Sequence, residues 1–313
     1  MRVDSRPSDS GESAGSHEDE SAGVDSADSG SPHSEDSDPI DSDSSPADIG
    51  WLQVSAGGSF SCGLHADNTA VCWGENSAGQ SAAPLELVES VSCGSYAACG
   101  LDFAGESLCW GDPRTGLTTP PSGPWEVVTC RDSGCTSVNI AGVIGLWGTE
   151  PYSSYQLQAP DWHDLEAGYS GVCFIDSVGI LKCVDRDNSS WYEPLSGTFT
   201  QVSPGGTMGC ALDTAGEIQC WGESDYGLDS PPAGGFRDIA VDDTHACAVA
   251  EDWTLVCWGQ ALWWENFDTT LVPPAGEFRQ VAVGDTHACA LTRDGSAIEC
   301  WGDNYFGQTD VPE

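Results

Sequence analysis

The chain reads as an all-β protein, a seven-bladed β-propeller built from seven repeats and preceded by a disordered acidic tail. Three observations predict this. One pattern returns seven times, at a period of 36 to 42 residues. Each copy reads as strand, tight turn, strand, hairpin, strand. The first 48 residues hold almost nothing that could be buried. A repeat of that length is one small sheet, and stacking such sheets about an axis closes a ring.

The copies open near Trp51, Leu87, Trp125, Trp162, Phe199, Phe236 and Phe278. They give blades of about 51–86, 87–124, 125–161, 162–197, 198–235, 236–277 and 278–313, within a domain of 49–313. Three residues after the opening stands Val54, Val202, Ile239 or Val281. A glycine follows in most copies (Gly57, Gly94, Gly168, Gly205, Gly284), read as a tight turn where glycine tolerates positive φ. A second strand is centred on a cysteine. Six residues past it comes Gly105, Gly179, Gly216 or Gly295, with Asn68 in the first copy, as a left-handed hairpin position requires. The third strand carries another cysteine, usually followed by Trp-Gly: Trp73-Gly74, Trp110-Gly111, Trp147-Gly148, Trp221-Gly222, Trp258-Gly259 and Trp301-Gly302. Polar loops and proline-rich stretches, such as Pro231-Pro232, lead to the next copy.

The motif Gly-x-x-His-x-x-x-Leu, then Asp-Gly, then Trp-Gly-x-Asn-x-x-Gly-Gln resembles the repeat of the regulator of chromosome condensation family. Here it falls on Gly284 to Leu291, Asp294-Gly295 and Trp301 to Gln308, and again on Trp73 to Gln80. The resemblance spans about 49–313. Relatives include a nucleotide exchange factor, a photoreceptor and a secreted enzyme inhibitor, so it implies a fold and no single activity. The Cys-Trp-Gly variant resembles copies in exported bacterial proteins. Blade three departs at Leu146, where the second cysteine belongs, and blade four lacks Trp-Gly at Cys183-Val184-Asp185.

Of fifteen cysteines, twelve form regular pairs: Cys62/Cys72, Cys99/Cys109, Cys173/Cys183, Cys210/Cys220 and Cys247/Cys257, ten apart, and Cys289/Cys300, eleven apart. Across a hairpin the two face each other at disulfide distance. Six disulfides are therefore expected, in preference to free apolar cysteines or zinc ligands; zinc would need two hairpins to converge. Of the rest, a Cys93–Cys130 bridge between blades two and three is expected, leaving Cys135 free opposite Leu146; Cys130–Cys135 is the alternative. Bridges point outside the cytosol. An extracellular or bacterial cell-surface location follows as an expectation. Met1-Arg-Val-Asp-Ser has no apolar core, so no export signal stands in this chain, and a membrane link would run through an N-terminal lipid anchor that the chain lacks.

Residues 1–48 are a Ser/Asp/Glu-rich linker, expected to be disordered and to act as a spacer. Such runs resemble the stretch after the lipidated cysteine of bacterial lipoproteins. The net charge is −41, with Lys182 the single lysine. The tail supplies −12 of this and the propeller the remaining −29. Such a surface repels phosphate backbones, which excludes a nucleic-acid partner.

Asp243-Thr-His245 and Asp285-Thr-His287 look like acid–base dyads. They recur at one turn position in consecutive blades, so a structural tie of carboxylate and histidine is expected there, with no catalytic residue, metal or cofactor. The better binding candidates are aromatics outside the repeat core. Trp263, Trp264 and Phe267 lie in the longest loop, beside Tyr226, Tyr305, Phe306, Trp191, Tyr192 and Tyr152 in equivalent loops. All follow a third strand and share one rim. Trp253 takes a hairpin position on the opposite rim. The sequence therefore points to a monomeric, non-enzymatic binding or adhesion module for a protein or glycan. The alternatives are an inhibitor of a secreted enzyme or a polysaccharide-active enzyme using carboxylates such as Asp242 and Asp243.

Overall fold

The computed structural model describes residues 50–148, 157–158, 161–169, 171–185, 193–222, 226–259 and 272–312. The tail lies outside the described residues, as do Tyr152, Trp191, Tyr192, Trp263, Trp264 and Phe267.

Seven antiparallel sheets follow one another along the chain. The first holds β1 (Trp51–Ala56), β2 (Phe60–His65) and β3 (Ala70–Gly74), and the second β4 (Ser90–Cys93), β5 (Ala97–Leu101) and β6 (Ser107–Gly111). The third holds β7 (Val127–Arg131), β8 (Gly134–Val138) and β9 (Val143–Gly148), extended outward by β10 (Leu157–Gln158). The fourth holds β11 (Trp162–Ala167), β12 (Gly171–Asp176) and β13 (Leu181–Asp185), and the fifth β14 (Phe199–Pro204), β15 (Met208–Asp213) and β16 (Ile218–Gly222). The sixth holds β17 (Phe236–Val241), β18 (His245–Ala250) and β19 (Leu255–Gly259), and the seventh β20 (Phe278–Val283), β21 (His287–Thr292) and β22 (Ile298–Gly302). The first strand of each sheet touches the first strands of both neighbours, and β20 touches β1, so the ring is closed with these strands innermost.

The apolar core is divided into seven seams, each between adjacent blades. One joins Met208, Leu212 and Leu228 of blade five to Phe236, Ile239 and Val241 of blade six. The closing seam joins Leu291 and Ile298 to Trp51, Val54 and Trp73. Middle strands are covered on both faces, so small residues stand there. A side chain at Gly63 or Gly209 would collide with the rings of Trp51 and Trp221 respectively.

An innermost strand has one edge without a strand partner, and its buried N–H groups must be satisfied otherwise. Side chains of neighbouring blades do this. Gln53 Oε1 accepts from Val91 N–H (3.0 Å), Asp164 from Val202 (2.8 Å), Asp238 from Val281 (2.7 Å), and Gln280 from Val54 (3.0 Å). One tier on, Ser55, Ser92 and Ser203 hydroxyls accept from Cys93, Cys130 and Val241.

Two further girdles bind blade to blade. The left-handed hairpin residues are Asn68, Gly105, Gly179, Gly216, Trp253 and Gly295. Each turns its carbonyl to the N–H that opens the next blade, as in Trp51 N–H to Gly295 (2.7 Å) and Val88 N–H to Asn68 (2.9 Å). The buried opening residue of blade two is thus Val88, while Leu87 is exposed. On the opposite face the Trp-Gly indoles reach back to the preceding blade's loop. Trp110 donates to the carbonyl of Gln80, Trp147 to Leu117 and Trp258 to Leu228, and Trp73 donates to Gln308, closing the ring.

Seven disulfides occur among the described residues. Six are the expected pairs: Cys62–Cys72, Cys99–Cys109, Cys173–Cys183, Cys210–Cys220, Cys247–Cys257 and Cys289–Cys300. Each joins directly opposed residues of second and third strands. The second-strand cysteine of every pair is buried. On the third, outer strand, Cys72, Cys109, Cys220, Cys257 and Cys300 are only half-buried, and Cys183 is buried. Cys257 rests against the seam between blades six and seven, with Val281 and Val283.

The seventh bridge corrects the expectation for the remaining cysteines. Cys130 pairs with Cys135, and Cys93 is the free, buried thiol. Register explains it: Cys130 and Cys135 are opposed across the β7–β8 turn, and it is Thr136, not Cys135, that faces Leu146. Burial pushes the Cys93 thiol up to about 12, and only hydrogen bonds from Ser55 and the Cys62 backbone work against that.

The turn glycines also need a different reason from the one the sequence suggests. None of Gly57, Gly94, Gly168, Gly205 and Gly284 has a positive φ. Their turns crowd the axis, and a Cβ at Gly94 or Gly205 would meet the Asp132 or Asp242 carbonyl at 2.9 or 2.8 Å. At Gly57 and Gly284 it would run into the carbonyls of Gly94 and Gly57.

Candidate functional site

In every blade the first strand ends where the second begins and where the third ends. The turns between first and second strands therefore share one face with the loops after the third. Backbone bonds fix this, as from Asp112 N–H to Tyr96 and from Asp303 N–H to Thr286. The hairpins lie on the other face.

Seven turns surround the channel mouth on the turn face. Five carry a glycine at the crowded position; the other two carry Arg131 in blade three and Asp242 in blade six. These two residues find each other. The Arg131 guanidinium donates to Asp242 Oδ1 at 2.5 Å and to the Val241 carbonyl. Asp132, Asp243 and Asp285 also act on the guanidinium. Ser95 donates to Asp132 Oδ1 (3.2 Å), and its hydroxyl also lies beside Asp285. One cation thus serves four carboxyl groups.

Burial penalises the Arg131 charge, but the carboxylates, Asp242 foremost, more than offset this and raise its pKa. Burial lifts Asp242 to about 8; Arg131 pulls it down, and Asp285, Asp243 and Asp132 push it further up. Burial and Asp132 lift Asp285 to about 6, against the pull of Arg131. Burial, then Asp132, also raises Asp243. Asp242 is therefore a bonded, buried group, and Asp242 and Asp243 do not form an open two-carboxylate site.

In the Asp-Thr-His segments the carboxylate and the histidine point apart. Their carboxylates turn toward the mouth, while the histidines turn into the seams. His287 Nε2 meets Ser61 Oγ at 2.7 Å, and His245 Nδ1 lies 3.3 Å from Thr244 Oγ1. Burial holds His245 down at about 4, aided by Arg131, and His287 at about 3, aided by His245.

A pH profile follows. The unfolded histidines titrate near 6.5; folded, they resist protonation, so their contribution is whole above that pH and is lost as pH falls toward 4 and 3. Asp242 and Asp285 behave oppositely. They keep protons that the unfolded chain releases near 4, so their contribution is lost as pH rises through 6 and 8. Between about pH 4 and 6 the two effects oppose each other. Thermal melts are expected to show a fall of roughly 1–2 kcal/mol from pH 6.5 to 8.5, as Asp242 gives up its proton.

Around this mouth the turn face carries exposed rings. Tyr305 is 83% and Phe306 46% exposed, packed edge to face at 4.9 Å. Tyr96 and Tyr169, which sequence reasoning passed over, are 53% and 46% exposed. Both directly follow turn residues at the mouth, and Tyr169 N–H donates to the Gly205 carbonyl at the neighbouring turn. Tyr226 is half-buried. Trp253 stands apart on the hairpin face, where the Arg237 and Arg293 guanidiniums each lie 4.4 Å from its ring.

A cleft of 510 Å³ opens between blades four and five, bordered by Gly168, Val184, Pro204, Met208 and Trp221. Among the described residues, one set of three metal-ligand-type groups converges: the sulfurs of Cys99, Cys130 and Cys135. All three are in disulfides and offer no thiolate.

The regulator of chromosome condensation (RCC1) repeat model matches residues 51–80, 88–116 and 278–308. No curated protein matches the sequence. Among solved structures, the CRINKLY ectodomain of the Arabidopsis thaliana receptor kinase ACR4 is similar at 24% identity and a TM-score of 0.69, over 83% of this chain and 97% of that one. The Physcomitrella patens receptor kinase CR4 ectodomain gives 20% and 0.69, over 82% and 74%. Prp20p of Saccharomyces cerevisiae, described with its binding to Gsp1p and histones, gives 14% and 0.62, over 84% and 85%. At these identities the likeness is one of fold. Three stretches of the chain match the regulator of chromosome condensation repeat, and its seven blades share the propeller fold of these structures.

Proposed function

We propose that this propeller is a non-catalytic binding module, exported or at the cell surface, that presents its turn face to a protein or glycan. The observation that carries the reading is that Tyr96, Tyr169, Tyr305 and Phe306, from three blades, are all exposed on that face. Exposed aromatic rings are frequent interface anchors. The disulfides support a place outside the cytosol, and two of the similarly folded structures are receptor-kinase ectodomains. Trp263, Trp264, Phe267, Trp191 and Tyr192 join the same proposal by sequence position alone.

The test is a glycan array and a panel of secreted proteins, run beside a hydrolase panel. Substituting Tyr305→Ala and Phe306→Ala together is expected to weaken the partner found by roughly 2–4 kcal/mol and to leave Tm unchanged. A lower Tm with unchanged affinity would make these rings structural filler. Turnover of a glycan would replace the binding reading with an enzymatic one.

A further inference from the structure

Six bridges join second to third strands, but blade three differs because Thr136 and Leu146 occupy the usual cysteine positions. Its bridge joins β7 to β8 and packs in the seam against blade two. The Cys99–Cys109 bridge of blade two faces the same seam. Two separate disulfides therefore lie in contact, with Cys99 Sγ 3.7 Å from Cys135 Sγ. Among the described residues this is the one contact between bridges. Cys99, Cys130 and Cys135 are buried, while Cys109 is half-buried.

We propose that these four cysteines form a thiol–disulfide exchange site that takes small thiols. Exchange runs by thiolate attack on a disulfide sulfur, with no net redox change. The incoming thiolate attacks Cys109 Sγ, the most accessible of the four. The Cys99–Cys109 bond breaks, a mixed disulfide forms on Cys109, and Cys99 leaves as a thiolate. Cys99 then attacks Cys135 across the 3.7 Å contact. The Cys130–Cys135 bond breaks, a Cys99–Cys135 bond forms, and Cys130 leaves and takes up a proton. One thiol enters, one protein thiol appears, and the number of disulfides is unchanged. The product staples blade two to blade three where each blade had been braced within itself. Cys93 does not start this chemistry, because burial keeps its thiol protonated and it packs in the seam with blade one, among Cys62, Val88 and Val91.

The site can be entered from either side by single substitutions in the full chain. Cys109→Ser leaves the Cys99 thiol facing an intact bridge. Peptide mapping without reductant is expected to find Cys99 joined to Cys135 and Cys130 open to alkylation. Cys130→Ser is expected to give the same Cys99–Cys135 peptide, with Cys109 alkylated. Cys220→Ser is the control, since Cys210 has no neighbouring bridge, and should give an alkylated Cys210 and no cross-blade peptide. Treating the unsubstituted protein with reduced glutathione provides a readout that does not depend on how the variants fold. It should yield glutathione on Cys109 together with the Cys99–Cys135 link. Alkylated Cys99 beside an intact Cys130–Cys135 bridge in Cys109→Ser would overturn the proposal. Glutathione on Cys109 without the new link would do the same.

Discussion

Complete reduction under native conditions is expected to unfold the propeller at room temperature. Each bridge closes a short loop, with cysteines five to eleven residues apart. The loop-entropy relation gives about 2–3 kcal/mol for each. Seven such terms amount to on the order of 15–20 kcal/mol, more than the 5–15 kcal/mol typical of a whole domain. Three-stranded blades without their staples must rely on the seams alone. The measurement is circular dichroism with and without a phosphine reductant, beside intact mass after alkylation. Non-reducing mass should show seven bridges, with the Cys93 thiol reacting only after denaturation. A reduced chain that kept its melting transition would show that the seams suffice and the bridges are secondary.

Arg131→Met should be the most damaging single substitution at the channel mouth. It removes the one cation among four carboxyl groups and strands Asp242 in a buried setting. Breaking a buried pair in this way costs about 3–5 kcal/mol. The loss is expected in full at pH 8.5, where leaving Asp242 protonated is least favourable. It should shrink at pH 6, because carboxyl groups held above their ordinary pKa accept protons there. Asp242→Leu in the same background is expected to recover most of the loss, since an apolar pair of similar volume can replace a buried ion pair. A double-mutant cycle run by chemical denaturation at both pH values would measure the coupling. Strictly additive losses would mean that Arg131 acts through packing, not through Asp242.

Local chemistry made much of the fold legible. The hairpin residue six past each second-strand cysteine is left-handed at Asn68, Gly105, Gly179, Gly216, Trp253 and Gly295, because a short hairpin demands that conformation and sequence spacing reports it directly. Cysteine pairs ten apart, such as Cys247 and Cys257, state their own register. What distance along the chain conceals was not legible. Arg131 and Asp242 are 111 residues apart, yet a signal existed: they are the two copies that lack the turn glycine, and their charges are opposite. The glycines themselves were identified, but their cause was not. Backbone crowding at the axis is a property of the closed ring, which no single repeat contains. The Cys130–Cys135 bridge was not the first choice because it spans the tight turn at Asp132 and Ser133 between first and second strands, where, among the described residues, no other blade carries a disulfide. Tyr96 and Tyr169 were not legible because they lie in tight turns, where no added loop length marks a ring as exposed.

The indole of Trp73 rests on the carbonyl of Gln308 just as that of Trp110 rests on Gln80, and the N–H of Trp51 meets Gly295 as that of Val88 meets Asn68. The seam that joins the last blade to the first is thus made like the others. In a folded ring of this kind no blade is first. The chain could be opened at another connector, with residues 312 and 50 joined by a short linker, and the same seven seams would still form. Such a circular permutant would move both ends of the polypeptide to a chosen sector of the rim while preserving the face that surrounds the mouth.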